Sequence, residues 1–558
     1  VNLTAEHPTS TPAGAVTGDV AGHIETRGID QIPAAERHGR PRSLFGIWAA
    51  ANVLYLNFVF GGLLILFGLG LWEALLICVL GNLWWFVIGW IATSGPASGT
   101  PSVMIMRAMF GVRGNALFGS GLGVLIGLFY IVLNVAFATL ASEALLASVG
   151  VILPDGFGIL VLAIVSALSL VVSVFGHATI EKLSGYLAIA VGACFAVVAI
   201  FVFAAADWSY APASLPLGDH VAVLLLGLTV VASGPLSWGT SADYSRYLPA
   251  TTPRRSVVMW TALGGFVPSV LLAALGAIAG TSIDMTDPQT AIADIIPGWL
   301  YPVFLLAIIA GTIANNVLCS YSTGLYAQAF APRIRRSVSV MIVGVVAALL
   351  AAYLLYGAPR FLDTLSYAIE IAVAVMGPLV AVYAIDIVLR RGRYDGRALN
   401  DTSRRSPFWY TGGWFLPGTV AMVVASTVAV LMVNTTLYTG PISLALNGAD
   451  VSSIAGPALA AGLYALLWRT TRPYRDPAAR PGAVDAAAPA PGGEDSPSGG
   501  DLPDGGPNRP RRSSAGRISS DRHTPDAENA GAPSAATDQD EYTAAPPAAT
   551  GTPVRSTR

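Results

Sequence analysis

Between residues 43 and 469 the chain alternates long apolar runs with short polar stretches. A membrane-spanning helix needs about 20 mostly apolar residues. Runs that satisfy this fall at 45–71, 73–93, 116–149, 158–175, 184–205, 221–240, 256–280, 299–330, 337–356, 363–390, 408–434 and 453–468. The pattern predicts an all-α integral membrane protein of about twelve transmembrane helices. The charges between the runs are one-sided. Arg107, Arg113, Lys182, Arg246, Arg254, Arg255, Arg333, Arg335, Arg336 and the arginines from Arg390 to Arg405 fall in alternate loops. The other loops hold Asp207, Asp219, Asp284, Asp287, Asp294 and Asp450, with Arg360 their one basic residue. Such a bias predicts a cell-membrane protein with both termini cytoplasmic.

Composition agrees and adds the ends. Hydrophobic residues make up 54% of the chain and charged residues 11%, against roughly 25% charged in a soluble domain. Residues 1–42 are polar and rich in Pro, Gly and Thr, and residues 470–558 hold almost no large apolar side chain. Neither stretch offers enough apolar surface to build a core, so both are expected as disordered cytoplasmic tails around a body at 43–469. The net charge of -2 identifies no nucleic-acid partner. Cys78, Cys194 and Cys319 each lie within an apolar run and imply no disulfide framework. The six histidines show no metal-ligand spacing, and no converging nucleophile, base or metal set marks an enzyme. Repeated filter segments or charged rings of a channel are also missing.

Two spans carry interruptions. The first reads Trp48-Ala-Ala-Ala-Asn52, then Asn57 and Gly61-Gly62; the sixth reads Ser233-Gly234-Pro235 and then Trp238. Proline removes a backbone donor and glycine loosens the turn. Broken helices survive in a bilayer only where protein or a watery cavity satisfies their backbone. Interruptions five helices apart, in matching places of two halves, predict a transporter with inverted repeats whose breaks, near Asn57–Gly62 and Gly234-Pro235, face one cavity. Polar side chains inside spans fit that picture. The third span has Tyr130 and Asn134, and the eighth has Thr312, Asn315 and Asn316. An amide offers two donors and an acceptor, matching the mixed edge of a nucleobase or ureide. Tyr130 and Trp238 are suited to cover a flat ring. Adjacent residues on a helix point about 100° apart, so Asn315 and Asn316 are expected to divide two jobs, one reading the solute and one tying the helix to its neighbours.

Several stretches resemble the purine-cytosine permeases of the nucleobase–cation symporter family. They are Trp48-Ala-Ala-Ala-Asn52 with Gly81-Asn82, Gly95-Pro-Ala-Ser-Gly99-Thr100, Arg107-Ala-Met-Phe110-Gly111, and Asp243-Tyr244-Ser-Arg246-Tyr247-Leu-Pro249. Ala314-Asn315-Asn316 with Tyr321-Ser-Thr-Gly324, and Met376-Gly377-Pro378 with Asp386, complete the set. The resemblance implies a LeuT-like fold of two inverted five-helix repeats plus two additional helices, working by alternating access. It implies a planar heterocycle held by Asn52, Tyr130, Asn134, Trp238, Asn315 and Asn316. Ala138 and Leu140 stand where relatives carry a small residue and Gln, which leaves the exact solute open between a nucleobase such as cytosine or a purine and an allantoin, hydantoin or pyridoxine-like compound.

No bound cofactor is expected beyond a co-transported cation. Sodium-coupled relatives use eighth-span hydroxyls, and the matching stretch here, Ala310-Gly311-Thr312, retains one, Thr312. A hard cation wants several oxygens. Glu370, a carboxylate inside the tenth span, suits a proton carrier, so proton coupling is favoured over sodium. At the cytoplasmic face Arg107 is expected to reach Asp243 as an ion pair.

Overall fold

The computed structural model describes residues 21–151, 154, 156–357, 361–435 and 438–471, and only the backbone of 361–371. Each of the twelve expected spans coincides with a helix. The first is a bent pair, Ser43–Asn52 and Tyr55–Leu66, and the second is the kinked Leu71–Ser98. The third is Leu122–Ser148, entered through a π-helical turn at Ala116–Gly121. Gly158–Phe175, His177–Ala205, Leu217–Leu236, Arg254–Ala279, Leu300–Phe330, Arg336–Tyr356, Phe361–Leu389, Leu416–Val430 and Ser452–Thr470 follow as the fourth to the twelfth. Nine described helices are long and apolar enough to cross a membrane, and ten with the bent pair. Leu416–Val430 is shorter, at 15 residues. The described residues contain no strand beyond two isolated bridges, Thr411 with Trp414 and Asn434 with Thr439.

The first span breaks at Val53-Leu54, where the helix bends by 54°. That is several residues before the expected Asn57–Gly62. Gly61 and Gly62 have a different task. A Cβ on Gly61 would strike the Ala273 carbonyl of the seventh span, and one on Gly62 would strike Met285. Without such small residues the two helices could not approach so closely, a common device where lipid offers no hydrophobic drive to pack. The sixth span runs helically through Gly234 and Pro235, ends at Leu236, and resumes as a short helix at Ala242–Ser245. Trp48, just before the first break, anchors the region between the two. Its ring meets Trp85, Trp238 and Tyr244 edge-on at 5.2–5.3 Å between centroids.

The N-terminal segment departs from the disordered tail expected through residue 42. Residues 21–42 lie packed along the arginine-rich ends of the helices. Ile32 donates its N–H to Gly99 O at 2.8 Å, Arg37 binds Pro96 O at 2.8 Å, and His38 N–H reaches Tyr247 O at 2.7 Å. The pin is Glu25, 6% exposed. Its carboxylate accepts from Arg246 at 2.7 Å, from the Tyr247 hydroxyl at 2.6 Å and from His177 N–H at 3.1 Å, with Arg336 Nε 3.8 Å away. Burial by itself would push this carboxyl up, but the Arg336 and Arg246 charges and the Tyr247 hydroxyl outweigh it and hold the group at about 2. Composition hides this arrangement, because the arginines that complete it come from distant loops. Residues 1–20 and 472–558, the remainder of the two expected tails, lie outside the described residues.

The tenth and twelfth spans are tied by a second buried ionic group. Asp386 pairs with Arg390 at 2.9 Å and accepts from the hydroxyls of Tyr464 at 2.5 Å and Tyr394 at 2.8 Å. The Arg390 guanidinium lies 4.6 Å over the Trp468 ring. Arg107 does not reach Asp243. Its guanidinium donates to Leu399 O at 2.8 Å, while Asp243 caps the N–H of Ser102 at 2.7 Å. The loop after the tenth span supplies a carbonyl where an acid was expected, so backbone engages Arg107 through one guanidinium nitrogen and Asp243 through Oδ1.

Candidate functional site

Both breaks open on one cavity. Its walls carry Asn52, Asn57 and Phe60 of the first span, Tyr130 and Asn134 of the third, and Ser233, Ser237, Trp238 and Thr240 around the sixth-span break. Asn315, Cys319 and Ser322 of the eighth span and Met376 and Leu379 of the tenth close it. The space open to the centre of a water-sized sphere is about 60 Å³, several times the ~10–15 Å³ that a single water requires. Among the described residues the lining holds amides, hydroxyls, aromatic rings and apolar side chains, and no charged side chain.

A chain of amides runs across this site. Asn52 donates to Trp48 O at 2.8 Å and accepts from Ser269 at 3.1 Å. Asn57 donates to Asn52 O at 2.8 Å, bridging the break of its own span. Asn315 donates to Ala51 O at 2.8 Å and accepts from Asn134 Nδ2 at 2.9 Å and from the Cys319 thiol at 3.4 Å. Asn315 thus ties the broken first span to the third. Among the described residues no donor reaches Asn134 Oδ1, so this acceptor remains available at the cavity wall. Tyr130 is half-buried and stands near Ser237 at the sixth-span break. Trp238 is held edge-on by Trp48.

Five of the residues singled out from sequence therefore meet in one cavity: Asn52, Tyr130, Asn134, Trp238 and Asn315. Asn316 lies off its lining, buried, with Oδ1 unpartnered among the described residues. Thr312 is buried and also off the lining. The side chain of Glu370 lies outside the described residues. Sequence reading took Asn57 and Ser233 only as parts of the two interruptions and passed over Ser237, Thr240 and Ser322, because small hydroxyls are frequent in membrane helices as packing groups. The nearest signal was their clustering around Gly234-Pro235 and their spacing from Asn315 on the eighth span.

Comparison with known proteins places this geometry. Residues 31–456 match the model of a family described as permeases for cytosine/purines, uracil, thiamine and allantoin. YxlA of Bacillus subtilis, assigned as a purine-cytosine permease, is 28% identical over 477 residues, covering 80% of this chain and 96% of the relative. The purine-cytosine permease FcyB of Emericella nidulans is 26% identical over 483 residues, covering 80% and 88%. Among solved structures, Mhp1 in a closed conformation with bromovinylhydantoin bound superposes with a TM-score of 0.65 at 17% identity, over 81% of this chain and 97% of Mhp1. Its inward-facing form gives 0.57 at the same identity, over 81% and 95%. At that identity the likeness establishes the LeuT-like fold. With the family model spanning most of the membrane body, the chain belongs to the cytosine/purine permease family of nucleobase–cation symporters, a multi-pass membrane transporter and not an enzyme.

Proposed function

We propose that the protein imports a nucleobase, cytosine or a purine, together with a proton, by alternating access from a site between the two helix breaks. The observation that carries this reading is the Asn134–Asn315 amide pair on a cavity wall flanked by Tyr130 and Trp238. Asn134 Oδ1 accepts from a ring N–H or exocyclic amine, and Asn315 holds Asn134 in position. The aromatic side chains cover the ring face, where stacked or edge contacts contribute about 0.5–1.5 kcal/mol beyond area. An uncharged lining suits an uncharged heterocycle, since a fixed charge would hold the solvent that such a solute must displace. Asn315 both lines the cavity and ties the eighth span to its neighbours, Asn316 lies off the lining, and Asn52 fixes the broken first span. The arginine-rich end, with both termini, faces the cytoplasm in this reading.

The proton is favoured over sodium because the carbonyls beside the first-span break are engaged by protein. Ala51 O accepts from the Asn315 amide, and Val53 O packs against Gly311, where a Cβ would lie 2.6 Å away. A sodium ion there would have to share Ala51 O with an amide N–H, with Thr312 the one hydroxyl of that stretch. Uptake of radiolabelled cytosine, adenine, hypoxanthine, allantoin, hydantoin and pyridoxine by proteoliposomes, with and without sodium and with an imposed pH gradient, tests the reading. Saturable nucleobase uptake that follows the pH gradient is expected. Uptake confined to allantoin, hydantoin or pyridoxine, or strictly sodium-dependent, would overturn it.

A further inference from the structure

Asp243 is 1% exposed and lies just beyond the sixth-span break. One carboxylate oxygen, Oδ1, accepts the Ser102 N–H at 2.7 Å. The other, Oδ2, is buried with no partner among the described residues. None of the described arginines, lysines or histidines comes within 4.0 Å of it. Arg246, three positions on, is engaged by Glu25 and by Gly28 O. An ionised carboxylate so placed costs several kcal/mol unless something neutralises it.

The cavity lies one hydroxyl away. Ser322 stands beside the carboxylate and also lines the cavity, its hydroxyl 2.9 Å from that of Tyr244. Thr240 lines the cavity too, its own hydroxyl buried and unpartnered, and its carbonyl accepts the Asp243 N–H at 2.9 Å. Two unassigned polar atoms, Thr240 Oγ1 and Asp243 Oδ2, therefore sit three residues apart between the solute cavity and the arginine-rich end. The titratable and charged groups facing Asp243 are Tyr244 and Arg246 on its own segment, Tyr326 with Cys319 and Tyr321 beyond it on the eighth span, and Tyr383 on the tenth. His177 of the fifth span binds the neighbouring Tyr244 O at 3.0 Å. Arg246 is the single cation among them.

We propose that Asp243 carries the co-transported proton, received from the solute cavity through the hydroxyls of Ser322 and Thr240. The proposal rests on the proton-coupled reading above. The proton leaves a hydronium ion in the cavity and forms an O–H bond at Asp243 Oδ2; the solute itself changes no bond. Neutralising the carboxyl removes the cost of a buried charge and couples solute binding to proton binding. Parting Arg246 from Glu25 turns a free guanidinium toward Asp243, favours the carboxylate again and returns the proton to water on the arginine-rich side. The inventory of apolar runs had no way to show this, because Asp243 lies in a loop by hydropathy.

The test is solute affinity against pH, with the proton uptake on binding, for purified folded protein. In the wild type, affinity falls about tenfold per pH unit on the alkaline side of the carboxyl's midpoint, and binding takes up about one proton per solute. Asp243→Asn keeps an oxygen for the Ser102 N–H; its affinity becomes flat with pH, its proton uptake vanishes, and accumulation driven by a pH gradient is lost while solute counterflow survives. Should that variant fail to fold, Asp243→Glu, which retains a carboxyl in a new position, is expected to move the midpoint; an unmoved midpoint overturns the assignment. A pH-dependent wild type with an equally pH-dependent Asp243→Asn also overturns it, leaving proton coupling to another group. A wild type that takes up no proton contradicts the proton-coupled reading itself.

Discussion

The central cavity and the arginine-rich end of the molecule are both buried and both polar, but they are polar in different ways. The cavity is built from neutral amides, hydroxyls and rings, with Asn134 Oδ1 left open. The arginine-rich end is built from charges that face one another: Glu25 with Arg246 and Arg336, and Asp386 with Arg390. A neutral site binds and releases a neutral solute without dragging hydration through the protein. Buried ion pairs do something else: they add little net stability when intact and cost a great deal when one member is lost. The comparison teaches that one region is made for exchange and the other for holding the helix ends together for as long as its ion pairs stay closed.

The sharpest way to break that contrast is at Glu25. Glu25→Ala leaves Arg246 and Arg336 buried without their carboxylate, and the expected loss is about 3–5 kcal/mol. It is read as a lower melting temperature of the purified protein by thermal scanning and size exclusion. An unchanged melting temperature would mean that the N-terminal segment does not hold these ends together.

A cavity substitution should behave differently. Asn134→Ala removes the open acceptor and leaves a donor of the solute unpaired, at about 1–3 kcal/mol. At ~1.4 kcal/mol per decade this is about a fivefold to more than hundredfold loss of affinity. Asn316→Ala, off the cavity lining, should leave affinity per folded molecule within about twofold, a difference well under 1 kcal/mol. Equal losses for the two would erase the distinction between solute-facing and helix-facing amides. A smaller effect is expected at Ser269, which donates to Asn52 Oδ1. Ser269→Ala should cost about 0.5–1.5 kcal/mol of stability, measured by the same thermal scan, with solute specificity preserved.

The weakest response concerns pH. The Glu25 carboxyl is held at about 2, below its ordinary 4.5. A carboxyl depressed on folding contributes stability that is fully present above its unfolded value and is lost as pH falls through its folded value. Protection of residues 21–42 from protease should therefore stay constant between about pH 8 and 5 and fail only on strong acidification. Failure near neutral pH would show that another group holds the segment.

How far these features could be read in advance varied with their physics. Span positions follow from hydropathy, and all twelve coincide with helices. Locating the first break failed by several residues, since glycine serves both to break a helix and to let two helices touch, and Gly61 and Gly62 do the second. Asn52, Tyr130, Asn134, Trp238 and Asn315 converge, as polar groups in lipid must find company. Asn316 points elsewhere because its neighbour Asn315 already takes the cavity-facing direction, about 100° away. The Glu25 cluster was illegible: one acid among several in a polar stretch acquires meaning only when folding brings Arg246 and Arg336 to it. Asp243 was visible as part of a family-like motif, but nothing in its neighbours along the chain indicated an unpartnered oxygen beside a cavity.

The central claim, that the amide-lined cavity between the two helix breaks holds the heterocycle, is tested most directly by equilibrium binding of radiolabelled cytosine and purines to purified wild type and Asn134→Ala, normalised to folded protein. The account predicts saturable binding by the wild type and about fivefold or greater weakening in the variant, the counterpart of losing one buried hydrogen bond. Wild-type and variant proteins that bind the same nucleobase with equal affinity would contradict it.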